Sequence, residues 1–497
     1  MIKKLFSPLL ALFVGFMTTS CDCMDCVQNA TIHVTPDFYS FPSSGGVATF
    51  TVLSSAPWSI NPDAVPAWCT FSPESGPVGS TVVTVTALEH TALTARGLST
   101  IPFIALTGST VSVVVTQGEA PGVIAVAAGI YHSLAIKDDG SLWGWGQNNV
   151  GQFGDGTTTS KTVPTLLNHD RKYKAIAASA AHSLALDVEG NLWAWGSNQL
   201  GASTSTGILG DGTRIQRLHP VPIMEGTIFT QISTSLHTSF AIDEHGQLWG
   251  WGHPTNLFSL LGNGTAQNVQ HLSPIKIMEG TVIKQVSAGM THTLAIDEDG
   301  QLWGWGENYF GQIGNGTTTG QSRPVKVTVP AGTKFVQISA KGGWPGGENG
   351  GHSLAIEEGG QLWVWGWNSY GEQGRGSTGG TFSTPGKIMT GTVITQISAG
   401  RYHNMALDKD GNIYTWGRNN NYQIGDETTT NRNSPQLIGT GFKMISAGGE
   451  HNLAIDAGGH LFAWGQNDLG QVGNGTTANQ MVPAQIIPFY QELPTTP

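Results

Sequence analysis

The stretch Leu142-Trp143-Gly144-Trp145-Gly146 returns six more times along a chain of 497 residues. Its second aromatic falls at Trp145, Trp195, Trp251, Trp305, Trp365, Trp416 and Trp464, at spacings of 50, 56, 54, 60, 51 and 48. Upstream of each copy lies a strand pair such as Ile397-Ser398-Ala399-Gly400-Arg401-Tyr402-His403-Asn404-Met405-Ala406-Leu407. Downstream lies a turn-rich run such as Gly311-Gln312-Ile313-Gly314-Asn315-Gly316-Thr317-Thr318, and a strand such as Pro324-Val325-Lys326-Val327 closes the unit. Each unit therefore supplies about four short strands. One such sheet cannot bury both its faces alone, whereas seven arranged about an axis bury them without leaving long edges. The two tryptophans of a unit stand two residues apart and so project from one face of the strand. Gly144 between them is expected to leave room for the neighbouring blade. Twelve of the 16 Trp are used in this way, each able to bury ~150–250 Å².

This period and signature resemble the regulator-of-chromosome-condensation repeat family, over residues 123–490. The resemblance implies a seven-bladed propeller. Members of that family include exchange factors for small GTPases and proteins that bind or inhibit other proteins. Fold does not transfer function by itself, so exchange-factor-like activity is the weaker alternative here.

Residues 31–117 read as a separate unit. The runs 48–53, 80–85 and 110–115 are rich in β-branched residues and are separated by turns such as Ser43-Ser44-Gly45-Gly46. Ala56-Pro57-Trp58-Ser59-Ile60, Trp68-Cys69-Thr70-Phe71-Ser72-Pro73-Glu74-Ser75-Gly76 and the closing Val115-Thr116-Gln117 resemble the Bacteroidetes-associated carbohydrate-binding often N-terminal (BACON) domain. The family name implies glycan binding. Trp58 and Trp68 are nevertheless expected to plug a core rather than stack on sugars. The expected fold class is all-β: a seven-bladed β-propeller preceded by an immunoglobulin-like β-sandwich, with 118–122 as linker and 491–497 as tail.

Composition agrees. Glycine appears 68 times, about twice average usage, while charged residues make 11% against roughly 25% in ordinary chains. With no Gly-X-Y period and many aromatics, collagen and disorder are excluded. The formal charge is -11 and no Lys/Arg run is present, so nucleic-acid binding is not expected. Lys3-Lys4 followed by the apolar stretch 5–17 reads as a signal segment. Thr18-Thr19-Ser20-Cys21 resembles a bacterial lipoprotein cleavage box, which would make Cys21 the lipidated residue and residues 1–20 the signal peptide. Asp22 and Asp25 resemble the acidic export signal of Bacteroidetes surface lipoproteins. The expected location is the cell envelope, lipid-anchored in the outer membrane and surface-exposed, with a tether over 21–30 and membrane contact through the lipid alone.

Several motifs are read as architecture. His132, His182, His292, His352, His403 and His451 recur at one place in the repeat. In the third unit Thr238 takes that place and His237 is displaced by one. Buried rings bonded to nearby backbone are expected, not metal ligands. Asp297-Glu298-Asp299-Gly300 mimics the start of a calcium loop, but a strand follows instead of further oxygen ligands, so a hairpin turn is expected. No catalytic motif, cofactor motif or zinc-spaced cluster appears.

Binding is therefore sought where the repeats depart from their pattern, because binding residues favour loops on a rigid frame. The second unit adds residues 202–207. The third carries an apolar loop with Pro254, Leu257, Phe258 and Leu260, and the fifth inserts Lys341-Gly342-Gly343-Trp344-Pro345-Gly346-Gly347-Glu348-Asn349-Gly350. Trp344, Trp367, Tyr309, Tyr370 and Phe258 are the candidate binding residues. The expected function is non-catalytic binding of a macromolecule, a protein or a cell-surface glycan. A glycan-binding or glycan-processing role is the main alternative.

Overall fold

A computed structural model describes residues 31–486, apart from 36–37, 42–45, 89–95, 106–109, 118–121, 168, 200–206, 253–259, 266–268 and 344–349. Cys21, Trp344 and Phe258 lie outside the described residues. The chain divides into two compact units, Met1–Ala120 and Pro121–Pro497.

In the first unit, strands Ile32–Thr35, Gly46–Ser54, Gly79–Ala87 and Cys69–Ser72 form one sheet. A second sheet carries Phe38–Phe41, Thr110–Gln117, Arg96–Ala105, Trp58–Ile60 and Ser75–Gly76. Alternate residues of Gly46–Ser54 are buried, as the two-residue period of a half-buried strand requires. Phe50, Val52, Val83 and Val85 from the first sheet share a core with Ile101, Phe103 and Val113 from the second. Trp58 is buried in this core, tilted on Phe103 at 5.6 Å, and Trp68 packs against it.

The second unit holds seven four-stranded antiparallel sheets, each built from consecutive strands. Blades 1 to 7 span residues 123–166, 173–223, 229–277, 283–326, 335–388, 394–439 and 442–485. The first strand of each blade packs against the first strand of the next, and blade 7 packs against blade 1, so the first strands line the axis. Among the described residues no strand is exchanged between blades. The ring closes through two sets of contacts, one repeated at every boundary and one at six of the seven.

One set lies at the turns between second and third strands. The amide of the first residue of each blade donates to the turn glycine carbonyl of the blade before it: Tyr173 to Gly140, Phe229 to Gly190, Ile283 to Gly246, Phe335 to Gly300, Ile394 to Gly360, Phe442 to Gly411 and Val123 to Gly459, all at 2.8–3.0 Å. The sequence Asp297-Glu298-Asp299-Gly300 is one of these turns. Its Asp297 carboxylate accepts from the amides of Asp299 and Gln301 and from the Trp303 indole. The carboxylate is occupied by the hairpin and the neighbouring tryptophan.

The other set joins the loop after each third strand to the following blade. Gln152 O accepts both Trp195 Nε1 at 2.7 Å and Ser183 Oγ at 2.8 Å. Gln312 O serves Trp365 and Ser353, Glu372 O serves Trp416 and Asn404, Gln423 O serves Trp464 and Asn452, and Leu260 O serves Trp305 and Thr293. At the closure, Gln471 O serves Trp145 and Ser133. The second blade is the exception. Its longer loop presents Ile208 O to Ser239 at 3.4 Å, and Trp251 Nε1 is left without a partner.

The loop glycine explains why the loop lies so flat. Gly154, Gly210, Gly262, Gly314, Gly374, Gly425 and Gly473 all have positive φ, and a Cβ on any of them would meet the next blade's tryptophan ring. Two of the expectations need correction. Gly144 leaves room for side chains of its own blade, Leu134, Phe153 and Leu167, rather than for a neighbour. The histidines bond the adjacent blade's side chains rather than backbone. His132 Nε2 meets Ser183 Oγ at 3.0 Å, His182 meets Ser239, His292 meets Ser353, His352 meets Asn404, His403 meets Asn452 and His451 meets Ser133. In the third blade Thr238 Oγ1 turns to Ser235 instead.

Two predictions follow from these belts. Gly314→Ala places a methyl 2.7 Å from the Trp365 indole nitrogen at φ +81°. It should cost about 2–5 kcal/mol, strain plus overpacking, read as a lowered urea midpoint. Gly316→Ala, at the same φ but with nothing nearer than 3.9 Å, should cost only the ~1–2 kcal/mol of backbone strain. Equal losses would show that the tryptophan contact is slack. Burial holds the belt histidines neutral, down to about 3 for His132, His182, His292 and His451 and about 4 for His352 and His403. Below pH 6.5 the unfolded chain gains protons that the fold refuses, so stability falls as pH falls, by roughly 1.4 kcal/mol per unit for each ring. Tryptophan fluorescence should report a steep acid transition beginning below pH 6. A urea midpoint unchanged between pH 7 and pH 4 would contradict this.

Candidate functional site

In a four-stranded antiparallel blade, the first turn and the loop after the third strand leave from the same end. Backbone bonds tie them together, such as Gln147 N to Tyr131 O and Arg418 N to Tyr402 O. Six of the seven loops are organised by a buried asparagine three residues after the second tryptophan. Asn308 Oδ1 accepts from Ile313 N, while its Nδ2 donates to Thr317 and Thr319 carbonyls. Asn148, Asn198, Asn368, Asn419 and Asn467 repeat the arrangement. The repeat W-G-x-N was legible in the sequence. In the third unit Pro254 takes the asparagine's place, and that loop's residues 253–259 lie outside the described set.

On this rigid rim, blades 4 to 7 carry side chains that do not repeat. Phe310 of blade 4 meets Trp367 of blade 5 edge-on, centroids 4.3 Å apart. Tyr370 of blade 5 meets Tyr402 of blade 6 at 5.7 Å. Arg418 lies over both tyrosine rings, at 5.4 and 5.2 Å, and Arg401 lies over Tyr402 at 4.9 Å. The Arg418 guanidinium pairs with Glu450 of blade 7 at 3.1 Å, and Asn421 donates to the other Glu450 oxygen. The result is two neighbouring groups on blades 4 to 7, the Phe310–Trp367 pair and the Tyr370–Tyr402–Arg418–Glu450 chain. Pairing to Glu450 fixes the Arg418 head, and the tyrosine rings hold its plane.

Of the residues singled out from sequence, Trp367 ends the third strand of blade 5 and Tyr370 follows three residues on in the loop, and both contribute to these groups. Tyr309 is adjacent in sequence to Phe310 and is 49% exposed. Trp344 and Phe258 fall outside the described residues. Leu260, the described part of the apolar third loop, is buried and gives its carbonyl to Trp305, so its role is architectural. Arg418, Tyr402, Arg401, Glu450 and Phe310 were missed. They occupy columns of the repeat that change identity from unit to unit: Tyr402 and Glu450 precede the histidine, Arg401 stands two before it, and Arg418 and Phe310 stand two and five after the second tryptophan. Variable columns at one end of a regular frame were the available signal.

Glu372 is a further departure. Gln152, Gln312, Gln423 and Gln471 each accept from a loop amide two residues upstream, and Glu372 Oε2 does the same for Tyr370 N. Its Oε1 is buried with no partner, and burial pushes the carboxyl up to about 8. Nearby in the same column as Trp367, Glu307 is also raised by burial, to about 7. Among the described residues no group of His, Cys, Asp or Glu is placed to hold a metal ion.

Comparison with known proteins matches the RCC1-like domain model over residues 95–378 and Regulator of chromosome condensation (RCC1) repeats over 359–407, 410–455 and 458–494. The chain belongs to the RCC1 repeat family. The RCC1 repeat at 359–407 begins in the turn before the third strand of blade 5 and ends on the second strand of blade 6, so sequence repeat and blade are out of phase. The ultraviolet-B receptor UVR8 of Arabidopsis thaliana is 30% identical over 64% of this chain and 70% of its own length. The Arabidopsis thaliana mitochondrial RCC1 domain-containing protein RUG3 is 28% identical over 63% of this chain, which spans 58% of RUG3. Prp20p of Saccharomyces cerevisiae superposes with a TM-score of 0.60 at 21% identity, covering 74% of this chain and 88% of its own.

Glu372→Gln restores the amide found in the other loops. The unfolded carboxyl ionises near 4.5 and the folded one near 8, so the native residue loses stability as pH rises between those values. At pH 7 the glutamine variant should be more stable by roughly 3 kcal/mol, and the advantage should shrink toward pH 5. A urea midpoint that does not rise at pH 7 would refute this.

Proposed function

We propose that the propeller is a non-catalytic scaffold that binds a protein partner through the rim of blades 4 to 7. The observation that carries this reading is the Tyr370–Tyr402–Arg418–Glu450 contact chain, with Trp367 on Phe310 beside it. Tyrosine, tryptophan and arginine are the residues that most often dominate protein interfaces, because they add large contact area with little entropy to lose. Here their orientations are set before any partner arrives, which lowers the ordering cost of binding. Prp20p, which shares the fold, binds Gsp1p and histones, in keeping with protein recognition on such a frame.

The N-terminal unit is read as an immunoglobulin-like spacer of BACON type. Burial of Trp58 and the packing of Trp68 on the same core remove the aromatic platform that sugar stacking would use. The proposed setting is the cell envelope, with Cys21 lipidated. That placement rests on residues 1–25 of the sequence alone; the relatives named above are eukaryotic.

The reading is tested by crosslinking the full chain to surface proteins of intact cells. Tyr370→Ala with Arg418→Ala should reduce recovery of the crosslinked partner at least tenfold, about 1.4 kcal/mol or more. Equal recovery from a variant that keeps its melting temperature would reject the rim as the binding face.

A further inference from the structure

The loop after the third strand of blade 6 breaks a rule that the other regular loops keep. Two columns of that loop are glycines with positive φ: Gly311 and, five residues on, Gly316 in blade 4, then Gly371 and Gly376 in blade 5, with blades 1 and 7 repeating both. Blade 6 has Tyr422 and Glu427 there instead, at φ 62° and 63°. A residue with a Cβ is strained in this region of backbone space, and glycine is not.

The departure shows in the seam with blade 7. At the other six boundaries the second glycine's amide donates to the outer strand of the next blade at 2.8–2.9 Å, as Gly316 does to Ser383 and Gly376 to Asn433. In blade 6 the same bond, Glu427 N to Met481 O, is 3.4 Å long. The first column explains the difference. A Cβ on Gly371 would lie 2.6 Å from Asn433 Cα. Tyr422 sets a whole side chain at the equivalent place beside Met481, and the loop stands off.

Nothing polar in the fold repays this strain. Among the described residues neither the Tyr422 hydroxyl nor the Glu427 carboxylate has a hydrogen-bonding or ionic partner. The adjacent Asp426, by contrast, is spent on Arg432 and Asn419. Glu427 is exposed, Tyr422 is half-buried and Met481 is 49% exposed. Residues 403–485, which build both sides of the seam, are all described. The patch adjoins the rim through Asn421, which donates to Glu450 and accepts from Asn479. Strained backbone of this kind collects where side chains serve a ligand.

We infer that the outer seam of blades 6 and 7 docks a polypeptide segment carrying basic and aliphatic residues. Glu427 pairs with its lysine or arginine, and Tyr422 and Met481 receive its aliphatic side chain. The uncompensated charge of the patch is a carboxylate, which selects a cation. Tyrosine and methionine supply adaptable apolar contact. The inference rests on the reading of the propeller as a protein-binding frame, and it does not need the Tyr370–Arg418 side of the rim.

The test uses the full chain at physiological salt. A fluorescein-labelled hexapeptide alternating lysine and leucine is titrated by anisotropy beside its glutamate–leucine and lysine–serine counterparts. It should bind at least tenfold tighter than either. Glu427→Gln should weaken it at least threefold, whereas Glu358→Gln, which removes the same charge from an exposed turn at the opposite end, should not. Tyr422→Gly should weaken it likewise while keeping or raising the urea midpoint, because relief of the left-handed backbone offsets the freedom glycine adds to the unfolded chain. Equal affinity for the three peptides, unchanged binding by Glu427→Gln, or an equal loss with Glu358→Gln overturns the inference. A Tyr422→Gly midpoint below the native one assigns the ring to the core and overturns it too. Tyr370→Ala with Arg418→Ala should leave peptide binding unchanged. Those substitutions are read by recovery of the crosslinked partner, so the rim and the seam fail separately.

Discussion

A backbone carbonyl in the loop after each third strand carries the ring. At six of the seven boundaries it accepts two hydrogen bonds from the next blade, one from an indole and one from a hydroxyl or amide. To present that oxygen the loop must lie flat against the tryptophan, which leaves no room for a Cβ and demands positive φ. The buried asparagine then holds the flat loop from within. Because each blade gives one such loop and receives another, the constraint passes around the circle and returns to its start through Gln471, Trp145 and Ser133. Among the described residues the ring closes without an exchanged strand, its last boundary made of the same parts as five others.

The axial strands solve their own edge problem in the same way. Gln285, Gln337 and Gln396 accept from the amides of Ile338, Ile397 and Ile445, while Ser287, Ser339 and Ser398 accept from Ala340, Ala399 and Ala447. Strand edges that would otherwise be open to pairing are satisfied by the adjacent blade. With packing, belts and edges all assigned to repeating residues, the side chains free to differ are those at the loop end of the ring. Glu372 shows what such freedom costs. A carboxyl stands where other blades use an amide, and one of its oxygens is buried without a partner. Destabilised groups of this kind are tolerated where a site gains from them.

Much of the frame was legible in sequence because it is periodic. The Trp145–Trp464 series set the number of blades, and the hairpin turns were separable from calcium loops because a strand followed them. The partner of each histidine was not read, although the signal was present: Ser133, Ser183, Ser239, Thr293, Ser353, Asn404 and Asn452 follow the histidine column in every unit. Their bonds cross to a blade some fifty residues away, and adjacency in sequence hides that. The rim cluster was half legible. Trp367 and Tyr370 stood out as aromatics just after a repeated Trp-Gly, whereas Arg418, Tyr402 and Glu450 come from two different columns in two further blades. Only the ring brings them together. Lys341 was visible as part of an insertion, but its place beside Ile130 and Met290 in the lining of one pocket depends on the blades meeting around the axis.

A repeating frame carries a variable rim, and the proposed binding belongs to the rim. Hydrogen–deuterium exchange on the full chain with and without its crosslinked partner tests that division most directly. Slowed exchange is predicted at 307–310, 367–373, 401–402 and 418–423, with none at the opposite hairpin turns such as 138–141 and 297–300. Protection centred on those turns, or on residues 46–117, would contradict it.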